Sequence, residues 1–136
     1  MLSALRNDAL TSTSTGFELR IGLPWIRSLP IACLREPEIT IDGEVVESVR
    51  VVIGGRALAP GEVLDETTWW FAQDRLVLEA EHPVAPGVHD VVVTFRLLIP
   101  YLMAGPGGGP LELPMRLADS LLLDHDTVPS VSLDVA

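Results

Sequence analysis

The side chains that most often do chemistry in proteins are scattered along this sequence. His82, His89 and His125 lie far apart, and no spacing between them would present two rings to one metal ion from a single strand or helical turn. Asp124 and Asp126 flank His125, but adjacent residues of an extended chain point to alternate faces, so we expect a solvated loop there. The pattern predicts histidines at the surface or in turns, and no metal site in this chain.

Nucleophilic and acid–base catalysis also lack a recognisable set of residues. Cys33 is the only cysteine, and its neighbours in the sequence are apolar, which predicts a buried and unreactive thiol. The acidic residues fall mostly at turn signals, as solvated loop residues do. The glycines from Gly105 to Gly109 precede a strand pattern rather than a helix, so they do not form a phosphate-binding loop. We therefore predict no catalytic residue and no cofactor in this chain.

The composition indicates one small domain. A chain of 136 residues holds one hydrophobic core, so we treat residues 1–136 as a single domain with a loosely ordered N-terminal segment over residues 1–15. A net charge of -10 without a basic cluster argues against nucleic acid as a partner. The sequence has no apolar stretch long enough for a membrane span and no signal peptide, and its lone cysteine fits the reducing cytoplasm.

Alternation of apolar and polar residues predicts the secondary structure. Strand patterns run from Gly16 to Leu23, from Val91 to Tyr101 and from Leu111 to Leu117, and Asp42-Gly43 is typical of a type I′ hairpin turn. The segment from Gly105 to Pro110 reads as a flexible linker. About eight or nine short extended segments without a helical pattern predict an all-β fold, a two-layer antiparallel β-sandwich rather than a barrel.

The tryptophans suggest a contact surface. Pro24 and Pro30 bracket a loop that contains Trp25, and the adjacent Trp69 and Trp70 must point to opposite faces of a strand. One of these two side chains therefore belongs in the core, while the other is free to stack on a sugar, meet a partner protein or lie beneath a loop. With 48% apolar and 21% charged residues, we expect part of the apolar surface to face another chain.

Several of these segments resemble a known family. The segment from Gly16 to Pro30, with its Leu-Pro-Trp-Ile-Arg-Ser-Leu-Pro string, is similar to the N-terminal signature of the C-glycoside deglycosidase β subunit. Trp69-Trp70-Phe71 with Asp74, Pro86-Gly87-Val88-His89 and Leu98-Ile99-Pro100-Tyr101 resemble the middle and end of that family's sequence. The resemblance covers roughly Gly16 to Tyr101.

The resemblance implies a small β-sandwich that is a non-catalytic partner of a larger α subunit. That subunit is expected to be a TIM barrel related to sugar isomerases and epimerases, with a divalent metal ion, Mn or Mg. The hetero-oligomer is expected to act as a lyase on 3-oxo aryl C-glycosides such as flavonoid C-glucosides, breaking the carbon–carbon bond to give an aglycone and a keto-sugar. A metal-stabilised enolate fits this chemistry.

On this hypothesis the partner interface comprises Pro24, Trp25, Arg27, Leu29, Trp69, Trp70, Phe71 and Tyr101. Arg27 either reaches a sugar or a carboxylate in the partner's pocket or forms a salt bridge within its own loop. Two alternatives remain open for the whole chain. One is a carbohydrate-binding module that uses a tryptophan as a stacking platform, and the other is a homo-oligomeric assembly domain without an enzyme partner.

Overall fold

The computed structural model describes residues 4–126 and 134–135, and almost all of its regular structure is β-strand. One short α-helix, α1, spans Pro60–Val63, and two 3₁₀ turns span Ile31–Cys33 and Pro106–Gly108. Among the described residues no helix has the length and apolar character that crossing a membrane requires. In chain order the strands are β1 (Leu10–Ser12), β2 (Phe17–Gly22), β3 (Leu29–Pro30), β4 (Leu34–Ile41), β5 (Glu44–Val46), β6 (Arg50–Ile53), β7 (Arg56–Leu58), β8 (Trp69–Trp70), β9 (Arg75–Ala80), β10 (Val88–Ile99), β11 (Leu111–Leu122) and β12 (Asp134–Val135).

The strands form the two layers of an antiparallel β-sandwich, which confirms the predicted fold class. One sheet has the order β1-β2-β9-β6-β7, and β12 adds to β9 as a parallel strand. The other sheet has the order β11-β10-β4-β5, and β3 pairs with β8 in a separate two-stranded ribbon. Side chains from both sheets join in one hydrophobic cluster, with Phe17 and Leu19 from the first layer and Val93 and Leu97 from the second.

The alternation read from the sequence sets the inner face of each layer. In β2, Phe17, Leu19 and Ile21 are fully buried, while the intervening Glu18 and Arg20 remain partly exposed. This arrangement follows from the geometry of a strand, in which successive side chains point to opposite faces of the sheet. The strand predicted from Gly16 to Leu23 is therefore confirmed.

The hairpin predicted at Asp42-Gly43 is also confirmed. Asp42 has a φ of 51° and Gly43 a φ of 84°, and a type I′ turn requires positive φ at both central residues. The turn joins β4 to β5, whose register pairs Ile41 with Glu44 and Ile39 with Val46. A local turn signal thus determined the register of two strands.

Strands β10 and β11 form a long hairpin in continuous register, from Val88 opposite Leu122 to Ile99 opposite Leu111. The prediction of a flexible linker from Gly105 to Pro110 is wrong, because this segment is the closed end of that hairpin. The Leu111 amide donates to the Leu102 carbonyl at 2.8 Å, and the Gly105 amide donates to the Gly109 carbonyl at 2.9 Å. A Cβ on Gly105 would overlap the carbonyl oxygen of Pro110, so glycine is needed for this closure.

Strand β11 is an edge of its sheet, because β10 is its only neighbour in the described part of the chain. Its inner face carries half-buried apolar side chains, whereas its outer face carries exposed residues such as Glu112 and Arg116. Pro114 lies within the strand, opposite Arg96 of β10. Proline is found on edge strands because it has no N–H to give to a ladder.

The expectation of a loosely ordered segment over residues 1–15 is wrong for residues 4–15, and residues 1–3 lie outside the described residues. Ala9 and Leu10 are fully buried, and β1 pairs with β2 through Leu10 opposite Leu19. The Ser12 amide and hydroxyl both donate to the Asp124 carboxylate, at 2.8 and 2.6 Å. The short polar sequence concealed a strand whose order comes from these tertiary contacts.

Strand β12 is fixed to the first sheet by ion pairs. Asp134 accepts hydrogen bonds from Arg20 Nε at 2.7 Å and from Arg75 Nε at 3.0 Å. Arg75 also donates to the buried carboxylate of Asp8 at 2.8 Å. Because the Arg75 side chain is largely buried, these carboxylates supply the counter-charge that its burial requires.

Candidate functional site

Three loop segments meet at the end of the sandwich where β2 and β10 finish and β9 begins. The first is residues 23–30 and the second is residues 68–72, and they are joined by the β3–β8 ribbon, in which Leu29 pairs with Trp70. The Ala72 amide donates to the Ser28 hydroxyl at 2.8 Å, which adds a side-chain contact between the two segments. The conformation of one segment therefore depends on the other.

The third segment is residues 100–110, which join β10 to β11 at the end of their hairpin. Tyr101 connects this third segment to the first segment. The Trp25 indole N–H donates to the Tyr101 hydroxyl at 2.6 Å. The Arg27 guanidinium carbon lies 5.2 Å from the centre of the Tyr101 ring, within the range of a cation–π contact. Trp25, Arg27 and Tyr101, predicted from the sequence as interface residues, are thus brought together.

These three segments hold most of the exposed apolar side chains of the described residues. Six of the ten large hydrophobic side chains that are exposed belong to them, and we call this set the apolar end: Ile26, Trp69, Phe71, Tyr101, Leu102 and Met103. Ile26 is 74% exposed and Met103 is 61% exposed. A concentration of exposed apolar and aromatic side chains on one part of a small protein marks a binding surface.

The two adjacent tryptophans have opposite roles, as their alternation predicts. Trp69 is 49% exposed, whereas Trp70 is 0% exposed and donates its indole N–H to the Asp74 carbonyl at 3.1 Å. Leu29, which pairs with Trp70, is also buried. In the isolated chain both side chains are inside the core, and a contact of either residue with a partner stays a prediction. Their pairing joins residues 23–30 to residues 68–72.

The other predicted interface residues lie at the surface. Arg27, Trp69, Phe71 and Tyr101 are exposed, whereas Pro24 and Trp25 are half-buried. Whether these residues contact a partner protein stays a prediction.

Sequence reasoning missed three members of the apolar end. Ile26 is the most exposed of them, and Leu102 and Met103 continue the apolar run beyond Tyr101. A signal for them was present, because an apolar residue in a proline-bracketed loop, or just beyond the end of a strand, has no core face to occupy. Because residues 105–110 were interpreted as a linker, Leu102 and Met103 were not predicted to belong to an exposed surface.

The polar side chains singled out for chemistry are used in structural contacts. His89 places Nδ1 2.6 Å from Asp42 Oδ2 and Nε2 2.6 Å from the Ala85 carbonyl oxygen. The hydrogen bond to Asp42, followed by that to Ala85, raises the pKa of His89, because both oxygens accept from the protonated ring. The same contact with His89 lowers the pKa of Asp42. This pair ties the first residue of the type I′ turn to the beginning of β10.

The remaining candidates also lack a reactive environment. The Cys33 thiol is buried, and this burial raises its pKa, which disfavours the nucleophilic thiolate. The Asp124 carboxylate accepts from Ser12, and its pKa is lowered by those hydrogen bonds. Over residues 4–126 and 134–135, no group of three or more His, Cys, Asp or Glu side chains is arranged to hold a metal ion.

Comparison with known proteins gives one consistent result. The profile of the C-glycoside deglycosidase beta subunit family matches residues 2–101. The 3'-dehydrocarminate deglycosidase beta subunit of Microbacterium sp is 32% identical over 110 residues, which are 78% of this chain and 82% of the relative. The C-glycoside deglycosidase beta subunit of Arthrobacter globiformis is 33% identical over 94 residues, 65% of this chain and 72% of the relative.

A further C-glycoside deglycosidase beta subunit, from Microbacterium trichothecenolyticum, is 36% identical over 91 residues, 62% of this chain and 68% of the relative. The family match contains the first two segments of the apolar end and finishes at Tyr101 of the third. Leu102 and Met103 lie directly beyond it.

Proposed function

Because the chain belongs to the C-glycoside deglycosidase beta subunit family, we propose that it is the non-catalytic subunit of a hetero-oligomeric enzyme and that its apolar end docks on the catalytic α subunit. The observation that carries this proposal is the collection of six exposed apolar side chains on three loops that are tied together by backbone and side-chain hydrogen bonds. Tryptophan, tyrosine and arginine are the residues most enriched at the energetic centres of protein interfaces.

The hydrogen bonds that join the three segments support docking. Loops that order only upon binding lose conformational entropy at that moment, whereas a pre-organised surface avoids this loss. The Ser28 contact with Ala72 and the Trp25 contact with Tyr101 already fix the three segments relative to one another. A stable complex buries about 800 Å² on each partner, so we expect the contact to extend from the apolar end onto neighbouring residues.

The proposed division of labour places the chemistry on the α subunit. That subunit is proposed to be a TIM barrel related to sugar isomerases and epimerases, with Mn²⁺ or Mg²⁺ as its metal. The described residues of this chain do not fit such a metal, since its histidines and carboxylates are not grouped as ligands. The buried, unpaired Cys33 thiol suits the reducing cytoplasm, where we propose that the complex works.

The proposed reaction is the cleavage of a 3-oxo aryl C-glycoside. A ketone at C3 of the sugar acidifies the proton at C2, so a base can remove it and form an enolate. When the enolate electrons form the C1–C2 double bond, the bond from C1 to the aryl carbon breaks, and that carbon takes up a proton. The products are the aromatic aglycone and an unsaturated keto-sugar. The name of the relative from Microbacterium sp, a 3'-dehydrocarminate deglycosidase subunit, supports an oxidised glycoside as the substrate class.

Co-expression with a C-glycoside deglycosidase α subunit from the same genome, followed by size-exclusion chromatography, tests the proposal. We expect the two chains to elute together and the complex to release aglycone faster than the α subunit alone. Met103→Glu, in the apolar end, should prevent co-elution. Val45→Glu, which alters an apolar side chain exposed to 69% on β5, should not. Separate elution with an equally active and stable α subunit would contradict the proposal.

Exposed Trp69 also favours a second candidate, a carbohydrate-binding module. That candidate predicts saturable quenching of tryptophan fluorescence when a C-glycoside or a simple sugar is added to the isolated chain. A flat titration together with a stable α–β complex would count against it. Light scattering of the isolated chain would reveal whether it instead assembles with copies of itself.

A further inference from the structure

Arg27 is an exposed cation without a carboxylate partner in the described part of the chain. Salt bridges within that part engage Arg20, Arg50, Arg56, Arg75 and Arg96. Arg27 has only the ring of Tyr101, with its guanidinium carbon 5.2 Å from the ring centre. The salt bridge within its own loop, one of the two sequence-based alternatives, is absent here. The residue is exposed in the isolated chain.

The three segments of the apolar end contain no acidic residue. The chain has nineteen acidic residues, yet none occurs between Glu18 and Glu36, between Glu66 and Asp74, or between Asp90 and Glu112. These three stretches contain all three segments of the apolar end. The excess negative charge of the chain therefore lies elsewhere, and its own carboxylates do not neutralise Arg27.

Burying this surface would bury Arg27 as well. Ile26 precedes it in the same loop, and Tyr101 stacks against it, so a protein that covers these two apolar side chains also displaces water from the guanidinium. Removing an unpaired charge from water is unfavourable, whereas a planar guanidinium held against an aromatic ring presents its N–H groups as a fork that fits a carboxylate. The most favourable partner surface is therefore apolar with one acidic group.

We infer that the α subunit presents an Asp or Glu carboxylate to Arg27, inside the apolar contact, and that this pair fixes the orientation of docking. The inference rests on the proposed function. It adds the chemistry of the partner's surface, which follows from a guanidinium without a salt bridge among the described residues and from the absence of acidic residues in the three segments of the apolar end. Residue pairs of this kind govern specificity, since a partner without the carboxylate would leave the cation unpaired.

The test is the affinity of Arg27 variants for the α subunit that forms the complex, measured by biolayer interferometry at several salt concentrations. Arg27→Gln should raise Kd by at least about 30-fold, because truncating one member of a buried charge pair leaves the other unpaired. Arg27→Glu should raise it further, and Arg27→Lys should have a smaller effect because it keeps the charge. Arg116→Gln is the matched control, since Arg116 is exposed and unpaired among the described residues but lies on the outer face of β11. It should change Kd less than about twofold.

An α subunit in which one interface Asp or Glu is replaced by Arg should restore binding to the Arg27→Glu variant. Unchanged affinity of Arg27→Gln and Arg27→Glu, with wild-type binding intact, would overturn the inference and leave the proposed function standing. Failure of the wild-type chain to bind would remove both. If Arg27→Gln keeps its affinity but raises KM only for substrates that carry a carboxylate, the anionic group belongs to the substrate, and the inference is overturned.

Discussion

Trp69 and Trp70 provide a sharp test of how this structure divides stability from recognition. We predict that Trp70→Phe destabilises the isolated chain strongly, whereas Trp69→Phe leaves its stability almost unchanged. The two changes remove the same atoms from neighbouring positions. Their difference depends only on the environments, since Trp70 is 0% exposed and Trp69 is 49% exposed.

The expected loss for Trp70→Phe has two parts. The indole N–H that donates to the Asp74 carbonyl disappears, which leaves a buried acceptor without this partner and costs about 1–3 kcal/mol. The smaller ring also leaves a cavity, for which about 1 kcal/mol is reasonable because complete truncation of a buried Trp costs about 3–5 kcal/mol. The sum is about 2–4 kcal/mol. For Trp69→Phe the change should stay within about 0.5 kcal/mol, as for most surface substitutions.

Urea unfolding followed by circular dichroism measures both effects. With a denaturant dependence of about 1.5–2 kcal/mol per M, Trp70→Phe should lower the midpoint by about 1–3 M. Binding supplies the complementary measurement, and Trp69→Ala should weaken the complex with the α subunit by at least about 30-fold if Trp69 is an energetic centre of the contact.

Equal urea midpoints for Trp70→Phe and Trp69→Phe would refute the placement of the two rings on opposite faces of β8. A Trp69→Ala variant that is as stable as wild type and binds the α subunit equally well would refute the role of Trp69 in docking. The stability and binding experiments therefore test separate steps of the reasoning.

Three further predictions concern the framework. Asp134→Asn should lower the free energy of unfolding by about 1–3 kcal/mol, because two arginines lose a shared counter-charge, and coincident urea curves would contradict this. Because folding raises the pKa of His89, this residue contributes stability that is complete below the ordinary pKa of 6.5 and is lost as pH rises through the higher pKa of the folded state. His89→Gln should therefore flatten the dependence of the urea midpoint on pH between about 6 and 8. An NMR titration of His89 at or below 6.5 would argue against the assigned contacts. Gly16→Ala should cost about 2–3 kcal/mol, because its Cβ would overlap the carbonyl of Ala80, whereas Gly61→Ala, with open space around it, should be neutral in thermal unfolding.

The predictable parts of the fold were those with local causes. Asp42-Gly43 predicted the type I′ turn because that turn requires positive φ at both residues. The alternation of apolar and polar residues in β2 and β10 predicted the inner face of each strand. The opposite placement of Trp69 and Trp70 followed from strand geometry alone. Which of the two rings is buried could not be predicted in this way. That choice depends on the pairing of Trp70 with Leu29, a contact between distant parts of the chain.

The unpredictable parts were those with tertiary causes. The stretch from Gly105 to Pro110 has the composition of a linker, and only the return of Leu111 onto Ile99 shows that it closes a hairpin. Strand β1 is short and polar, so its order depends on contacts such as that of Ser12 with Asp124. The apolar end was anticipated in part because aromatic residues stood out, but its assembly from three distant segments required their positions in space.

Pro114 has a consequence for the free subunit before it meets a partner. Strand β11 is twelve residues long and lies at an edge, so its backbone could template the addition of another chain and begin a fibril. At the fourth of the twelve residues of that edge strand, Pro114 has no N–H to offer, and a continuous hydrogen-bond ladder with another chain is interrupted there. The subunit can thus expose its apolar end while its longest edge strand resists polymerisation. This resistance extends the time available for assembly with a partner.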